Sequence, residues 1–210
     1  MSGIGVKADA GAVITITGNV SSTDNAAVYA SGGARATVNG NITSITGNGA
    51  SATGTGTEIT VNGDILTGTD KNSSAGTAAY AGGGARVALN GKANGKTSVT
   101  ASGAGSKITV VGNITATGGN GAETSFGGEV AVTGNVTGAG RGILTTGGTV
   151  TVDGDVTGLA LESIDANGPF GNTSQVTVTG NAMGRVLVRN GAQVTIEGEV
   201  ITGTGYISLN

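Results

Sequence analysis

The sequence predicts an all-β protein, a right-handed parallel β-helix (β-solenoid) of about nine coils with roughly 20–22 residues in each. Three observations predict it. One short phrase returns along the whole chain, as in "ITVNGDILTG" at 59–68 and "TVTVDGDVTG" at 149–158. The phrase carries the alternation of apolar and polar residues that is typical of a β-strand. The composition is rich in Gly, Thr and small aliphatic residues, with few charges.

In each copy of the phrase, one Gly follows three strand-like residues and one variable residue. Nine copies are present, and their glycines lie 18 to 28 residues apart, so insertions lengthen some coils. We interpret these glycines as structural anchors, because Gly adopts positive φ where a strand must bend sharply. They are Gly18, Gly40, Gly63, Gly91, Gly112, Gly134, Gly154, Gly180 and Gly198.

The residues around each anchor predict two or three short strands per coil. In Val150–Thr151–Val152 the valines point inward and the threonine outward, and Val156–Thr157 begins a second strand after the bend. A third stretch, such as "GILTT" at 142–146, precedes the next copy across a Gly-rich turn. One such unit cannot bury its apolar side alone, whereas stacked units form a continuous core. Because parallel crossovers are nearly always right-handed, we expect that handedness here.

Stacking places equivalent residues of successive coils in columns. We expect two apolar columns in the core, one before and one after the anchor. The first is Ile16, Val38, Val61, Leu89, Val110, Val132, Val152, Val178 and Ile196; the second is Val20, Ile42, Ile65, Ala93, Ile114, Val136, Val156, Ala182 and Val200.

The polar residue after each anchor is Asn in five copies, and we expect these residues to hydrogen-bond from coil to coil and to cap the bend. Outward-facing Thr residues form a further column, which raises the alternative of an ice-binding face. Ala88 and Ala131 interrupt this column. Val111, Asp153 and Glu197 interrupt the second polar column, which lies two residues further along each strand. We therefore interpret the threonines as ordinary solvent-facing strand residues.

We predict a single solenoid domain over 1–210, with loop insertions near 68–77 and 161–174. The second insertion contains the only Pro and one of the two Phe residues. Loops on a rigid scaffold often carry binding residues, which makes Asp165 and Phe170 the candidate ligand-binding residues. The alternative is that both insertions are tolerated surface loops.

Composition excludes several classes of protein. With 43 Gly but one Pro and no three-residue period, the chain is not collagen-like. A hydrophobic content of 37% and a net charge of −3 argue against disorder. Ten Lys plus Arg and a pI near 4.8 predict no nucleic-acid partner. Neither a membrane-spanning apolar run nor a signal peptide is visible, so the sequence fits an intracellular protein or a segment of a longer secreted chain.

The sequence predicts no catalysis, no catalytic residues, no metal site and no cofactor. The chain contains no His and no Cys, which removes most nucleophile–base pairs and transition-metal sites. Two pairs of carboxylates, Asp153 with Asp155 and Glu197 with Glu199, are the candidates for acid–base chemistry, and neighbouring copies supply no further acid. A polysaccharide lyase or hydrolase is therefore the weaker alternative.

The phrase "VTV-x-G-[ND]-VT-x-G" resembles the repeats of bacterial cell-surface β-helix proteins, namely autotransporter passengers, filamentous adhesins and large Gly/Thr-rich surface proteins. The resemblance covers nearly the whole chain and implies an extracellular or cell-surface location with a structural or adhesive role.

We therefore expect a non-catalytic structural or adhesive surface module that associates end to end or with flanking solenoid segments, because uncapped coils expose strand edges. Host or cell-surface glycans are possible partners, and no membrane insertion is expected. The alternatives are a carbohydrate-binding or polysaccharide-cleaving β-helix and an ice-binding solenoid.

Overall fold

The structure, a computed structural model, describes residues 3–68, 76–168, 173–202 and 208–209. These residues form a parallel β-solenoid of about eight turns, and they contain no helix. The all-β, parallel β-helix prediction is confirmed. The count of turns is one lower than the nine predicted coils, because the nine anchored strands are separated by eight full turns.

The strands of successive coils pair in three parallel ladders. The first ladder contains the strands that precede the anchors: β2 Val13–Thr17, β5 Arg35–Asn39, β8 Glu58–Asn62, β11 Arg86–Asn90, β14 Lys107–Val111, β17 Glu129–Thr133, β20 Thr149–Asp153, β22 Gln175–Val178 and β24 Gln193–Ile196.

The second ladder contains the short strands that follow the anchors. They are β3 Val20–Ser22, β6 Ile42–Ser44, β9 Ile65–Thr67, β12 Ala93–Gly95, β15 Ile114–Ala116, β18 Val136–Gly138, the first residues of β21 Val156–Asn167 and of β23 Ala182–Arg189, and β25 Val200–Ile201.

The third ladder contains β1 Val6–Ala8, β4 Val28–Ser31, β7 Ala50–Thr53, β10 Thr77–Gly82, β13 Thr97–Ser102, β16 Ala122–Ser125, β19 Ile143–Thr146, the last residues of β21 and β23, and β26 Ser208–Leu209.

The core is built from the predicted columns. Strand pairing aligns all nine members of the column from Ile16 to Ile196. The column from Val20 to Val200 is aligned in the same way. Interior members of both columns are at most 3% exposed. Since these side chains are mainly Val, Ile and Ala, the core is narrow, and its stability comes from repeated aliphatic contacts and backbone ladders.

The predicted insertion over 161–174 is only partly a loop. Its first residues, up to Asn167, continue β21, because Ile164 and Ala166 fill core positions and pair with Ile143 and Thr145. The extra length of this coil is taken up by an irregularity between Thr157 and Ile164. Most of the other predicted insertion, near 68–77, lies outside the described residues.

The residues after the anchors form a hydrogen-bonded ladder along one corner. The side-chain oxygen of Asn19 accepts a hydrogen bond from the backbone N–H of Asn41 at 2.8 Å, and the Oδ1 of Asn41 accepts from the N–H of Asp64 at 2.9 Å. The same contact recurs from Asn113 to the N–H of Asn135 at 3.0 Å. These contacts join successive coils as expected, and in each of them a side-chain oxygen accepts from the backbone of the next coil.

Lys92 interrupts this corner ladder, because lysine has no side-chain oxygen to accept from the N–H of Asn113. We expect Lys92→Asn to be more stable than Lys92→Ala by about 0.5–1 kcal/mol, the net value of one added hydrogen bond. Both variants lose the same charge, so the difference isolates the acceptor. Urea unfolding measures it, and equal stability of the two variants would show that the interruption costs nothing.

Candidate functional site

Asp165, one of the two residues that the sequence suggested for ligand binding, lies in a cluster of charged side chains on the outer side of the third ladder. Its side chain is 3% exposed, as is that of Glu162 on the same strand. Three arginines surround the two carboxylates, and we name this group the arginine–carboxylate cluster: Arg141, Glu162, Asp165, Arg185 and Arg189. Phe170 lies outside the described residues.

Three successive coils supply the cluster. Arg141 comes from the corner before β19, the two acids from β21, and the other two arginines from β23. The Nε of Arg141 lies 2.8 Å from Oε2 of Glu162 and 3.1 Å from Oδ2 of Asp165. Arg185 donates to Glu162, and Arg189 donates to Asp165 at 2.6 Å. The irregularity in β21 makes this possible, because it brings Glu162 opposite Arg185.

The carboxylate of Glu162 is held ionised rather than poised for proton transfer. Burial raises the pKa of Glu162, but the hydrogen bond from Arg185 and the charges of Arg141 and Arg185 outweigh it, so the pKa lies below its ordinary value. A general acid needs a raised pKa instead. The cluster therefore holds three coils together, and its buried carboxylates leave little surface for a ligand.

The lowered pKa of Glu162 predicts acid-sensitive stability. A carboxyl whose folded pKa is depressed stabilises the fold above its ordinary value, here 4.5, and this contribution is lost as pH falls through the folded pKa. We expect wild type to have a higher free energy of unfolding than Glu162→Gln at neutral pH. This difference should become smaller below pH 4.5. Urea unfolding at a series of pH values measures the difference, and a difference independent of pH contradicts this assignment.

Asp153 and Asp155, one of the two acid pairs weighed for catalysis, belong to different surfaces of the solenoid. Oδ1 of Asp153 accepts from Oγ1 of Thr179 at 2.9 Å on the outer face of the first ladder. Oδ1 of Asp155 accepts from the N–H of Asn181 at 2.7 Å in the corner ladder. The members of the pair thus bond different residues of the next coil. No group of three or more metal-binding side chains is found among the described residues.

The outer face of the first ladder carries the predicted Thr column in register. At Ala88 the missing side-chain atoms leave a depression of about 280 Å³ between Thr60 and Thr109. Arg86 and Lys107 stand in register beside it. Thr and Ala thus alternate with charged side chains on this face, which breaks the regular array that an ice-binding surface needs.

A second outer face was missed by the sequence analysis. The third ladder presents Tyr29 on β4 and Tyr80 on β10, and Phe126 follows β16 at the next corner. Among the described residues these are the only aromatic side chains, and all three lie along one side of the solenoid. The signal was present in the sequence as three scattered aromatics, but their alignment depends on the lengths of the intervening coils.

Comparison with protein-family models, with curated proteins and with solved structures finds no match to this chain. No helix in the described part of the chain is long and apolar enough to cross a membrane.

Proposed function

We propose that the chain is a non-catalytic structural or adhesive module of an extracellular or cell-surface protein. The observation that carries the proposal is the unbroken first ladder, in which nine strands stay in parallel register from β2 to β24. Nine strands at this spacing make a stiff rod about 40 Å long. The repeat phrase, which resembles those of bacterial surface adhesins, supports the same role.

The two end coils support association with further coils. Ile16 and Ile196 are only partly buried, whereas the interior members of their column are at most 3% exposed. Val13 on β2, the first strand of the first ladder, is 74% exposed. Within the described residues, β2 and β24 each pair with a single neighbour in the first ladder. Unpaired edges and half-exposed core residues favour stacking on another copy or on flanking solenoid coils.

Electron microscopy and size-exclusion chromatography of the concentrated chain test this association. We expect filaments, or rods that are multiples of the single length. Ile16→Lys places a charge on the exposed end of the core and should reduce assemblies to single rods. Thr15→Lys, on the same strand but facing outward, is the matched control and should still assemble. Single rods of wild type at every concentration contradict end-to-end association.

The carbohydrate-binding alternative is favoured by one specific observation, the placement of Tyr29 and Tyr80 on the third ladder and of Phe126 at the corner that follows it. This arrangement indicates the chemistry of the ligand.

A further inference from the structure

Tyr29, Tyr80 and Phe126 recur at intervals of two coils, and we name them the aromatic row. Strand register aligns Tyr29 with Ser51 and Ser51 with Tyr80, which places the two tyrosines two coils apart in one column. Phe126 follows β16, which lies two coils beyond β10. Adjacent strands are about 4.8 Å apart, so neighbouring members of the row are spaced by about 10 Å along the solenoid axis.

The two tyrosine rings lie against the sheet rather than standing away from it. A Cβ atom added at Gly82 would lie 2.6 Å from the hydroxyl oxygen of Tyr80 and 2.9 Å from Cε1 of its ring, so the ring covers Gly82. The hydroxyl of Tyr29 lies 3.1 Å from Oγ1 of Thr53 on the next coil. Both side chains therefore extend along their strands toward the corner that carries Phe126, and the ring of Tyr80 lies over the backbone of Gly82.

Phe126 occupies a backbone conformation that favours glycine. Its φ is 51°. At the equivalent corner, the four preceding coils have a Gly with positive φ instead: Gly32, Gly54, Gly83 and Gly103. The residue is 67% exposed, so little packing offsets the strain. A bulky residue held outward at a strained position indicates a surface with a binding role.

Hydroxyl groups are frequent around the row, and charged side chains are few. The five strands from β4 to β16 of the third ladder contain no Lys or Arg. Glu123, the acid on these strands, accepts a hydrogen bond from Asn120 at 2.6 Å. Ser51 and Thr100 flank Tyr80 in the same column. Lys7, which pairs in register with Tyr29, lies 3.3 Å from Asp9, so its charge is offset. Such a surface does not favour the phosphates of a single-stranded nucleic acid, although that ligand also stacks on aromatic rings.

We propose that the aromatic row binds an extended, neutral polysaccharide of β-1,4-linked sugars that lies along the solenoid axis. Sugar rings stack their C–H faces on flat aromatic side chains, and their hydroxyls bond to serine and threonine. In an extended β-1,4-linked chain every second sugar shows the same face, at a repeat close to the two-coil spacing of about 10 Å. Tyr29, Tyr80 and Phe126 therefore contact sugars one, three and five. This inference is independent of end-to-end association.

The register predicts how affinity depends on chain length. Titration calorimetry with cellobiose, cellotriose, cellotetraose and cellopentaose should show affinity rising in two steps, at three and at five sugars. The affinity should rise at least fivefold at each step, and cellotetraose should bind about as tightly as cellotriose. Maltopentaose, whose α-1,4 linkages curve the chain, should bind at least tenfold more weakly than cellopentaose. A smooth rise with length contradicts the two-coil register.

Variants distinguish stacking on the aromatic rings from non-specific binding to exposed apolar side chains. Tyr80→Ala should weaken cellopentaose binding at least tenfold, whereas Tyr80→Phe keeps the ring and should stay within about threefold of wild type. Phe126→Gly, which fits the backbone, should lower affinity for cellopentaose while changing that for cellotriose by no more than about twofold. Leu66→Ala is the control, because Leu66 is 45% exposed on the second ladder and should not affect binding.

Three results overturn the proposal. One is the absence of cellopentaose binding at millimolar concentration by folded wild type, as judged by circular dichroism. Another is an equal loss of affinity in Leu66→Ala and Tyr80→Ala. The third is binding of the oligonucleotide poly(dT) without binding of cellopentaose, which would assign the row to nucleic acid. None of these results alters the filament experiment, so the two proposals fail separately.

Discussion

Replacing Gly112 by Ala should lower the free energy of unfolding by about 3 kcal/mol or more, because it combines a forbidden contact with a strained backbone. A Cβ atom at this position would lie 2.3 Å from the carbonyl oxygen of Gly91, the anchor of the preceding coil. No rotation of a side chain relieves the clash, since both partners are backbone or Cβ atoms. The coils would have to separate locally and lose ladder hydrogen bonds.

Gly18→Ala is the matched control for this substitution. Gly18 holds the same place in the repeat at φ +130°, close to the +149° of Gly112, but a Cβ atom there meets no atom within 4 Å. Its replacement should cost only the backbone strain, on the order of 1 kcal/mol. Urea unfolding of both variants measures the difference. If both variants lost the same free energy of unfolding, positive φ alone would explain why Gly occupies the anchor positions. Stacking between coils would then place no limit on the size of the side chain there.

The anchors show what the sequence could and could not predict. It correctly predicted the apolar columns, because alternation around each Gly depends only on neighbouring residues. It attributed the glycines to positive φ, yet Gly40 and Gly91 are not among the residues with positive φ. They still have no room for a Cβ atom, which would lie 2.3 Å and 2.2 Å from the carbonyl of the anchor below. Such crowding depends on stacking between coils.

The surfaces were harder to predict, because they depend on the length of each coil. Tyr29 and Tyr80 come into one column only when the unequal coils between them are folded. Asp165 appeared to lie in an exposed loop, and its burial depends on the irregularity in β21 and on arginines from two other coils. No local pattern around Asp165 contains that information. Local periodicity thus predicts the interior of a solenoid better than its exterior.

Arg141→Gln should destabilise the last coils strongly, because Arg141 is the cation that lies between both buried carboxylates. Its removal leaves Glu162 and Asp165, each 3% exposed, close together with one arginine apiece. Breaking a buried ion pair from one side costs about 3 kcal/mol. The loss should appear as faster hydrogen exchange in β21 and β23 before the first coils open, since a solenoid unfolds by neighbouring units.

A matched surface variant and a double mutant test whether the destabilisation comes from the buried carboxylates or would follow the removal of any arginine. Arg35→Gln breaks the pair with Glu58, whose side chains are 63% and 46% exposed, and should cost less than about 1 kcal/mol. Adding Glu162→Gln to Arg141→Gln removes one of the two acids that repel, so the double variant should be more stable than Arg141→Gln alone. If the second substitution only adds to the loss, Arg141 contributes through packing of its aliphatic stem, and the carboxylates do not depend on its charge.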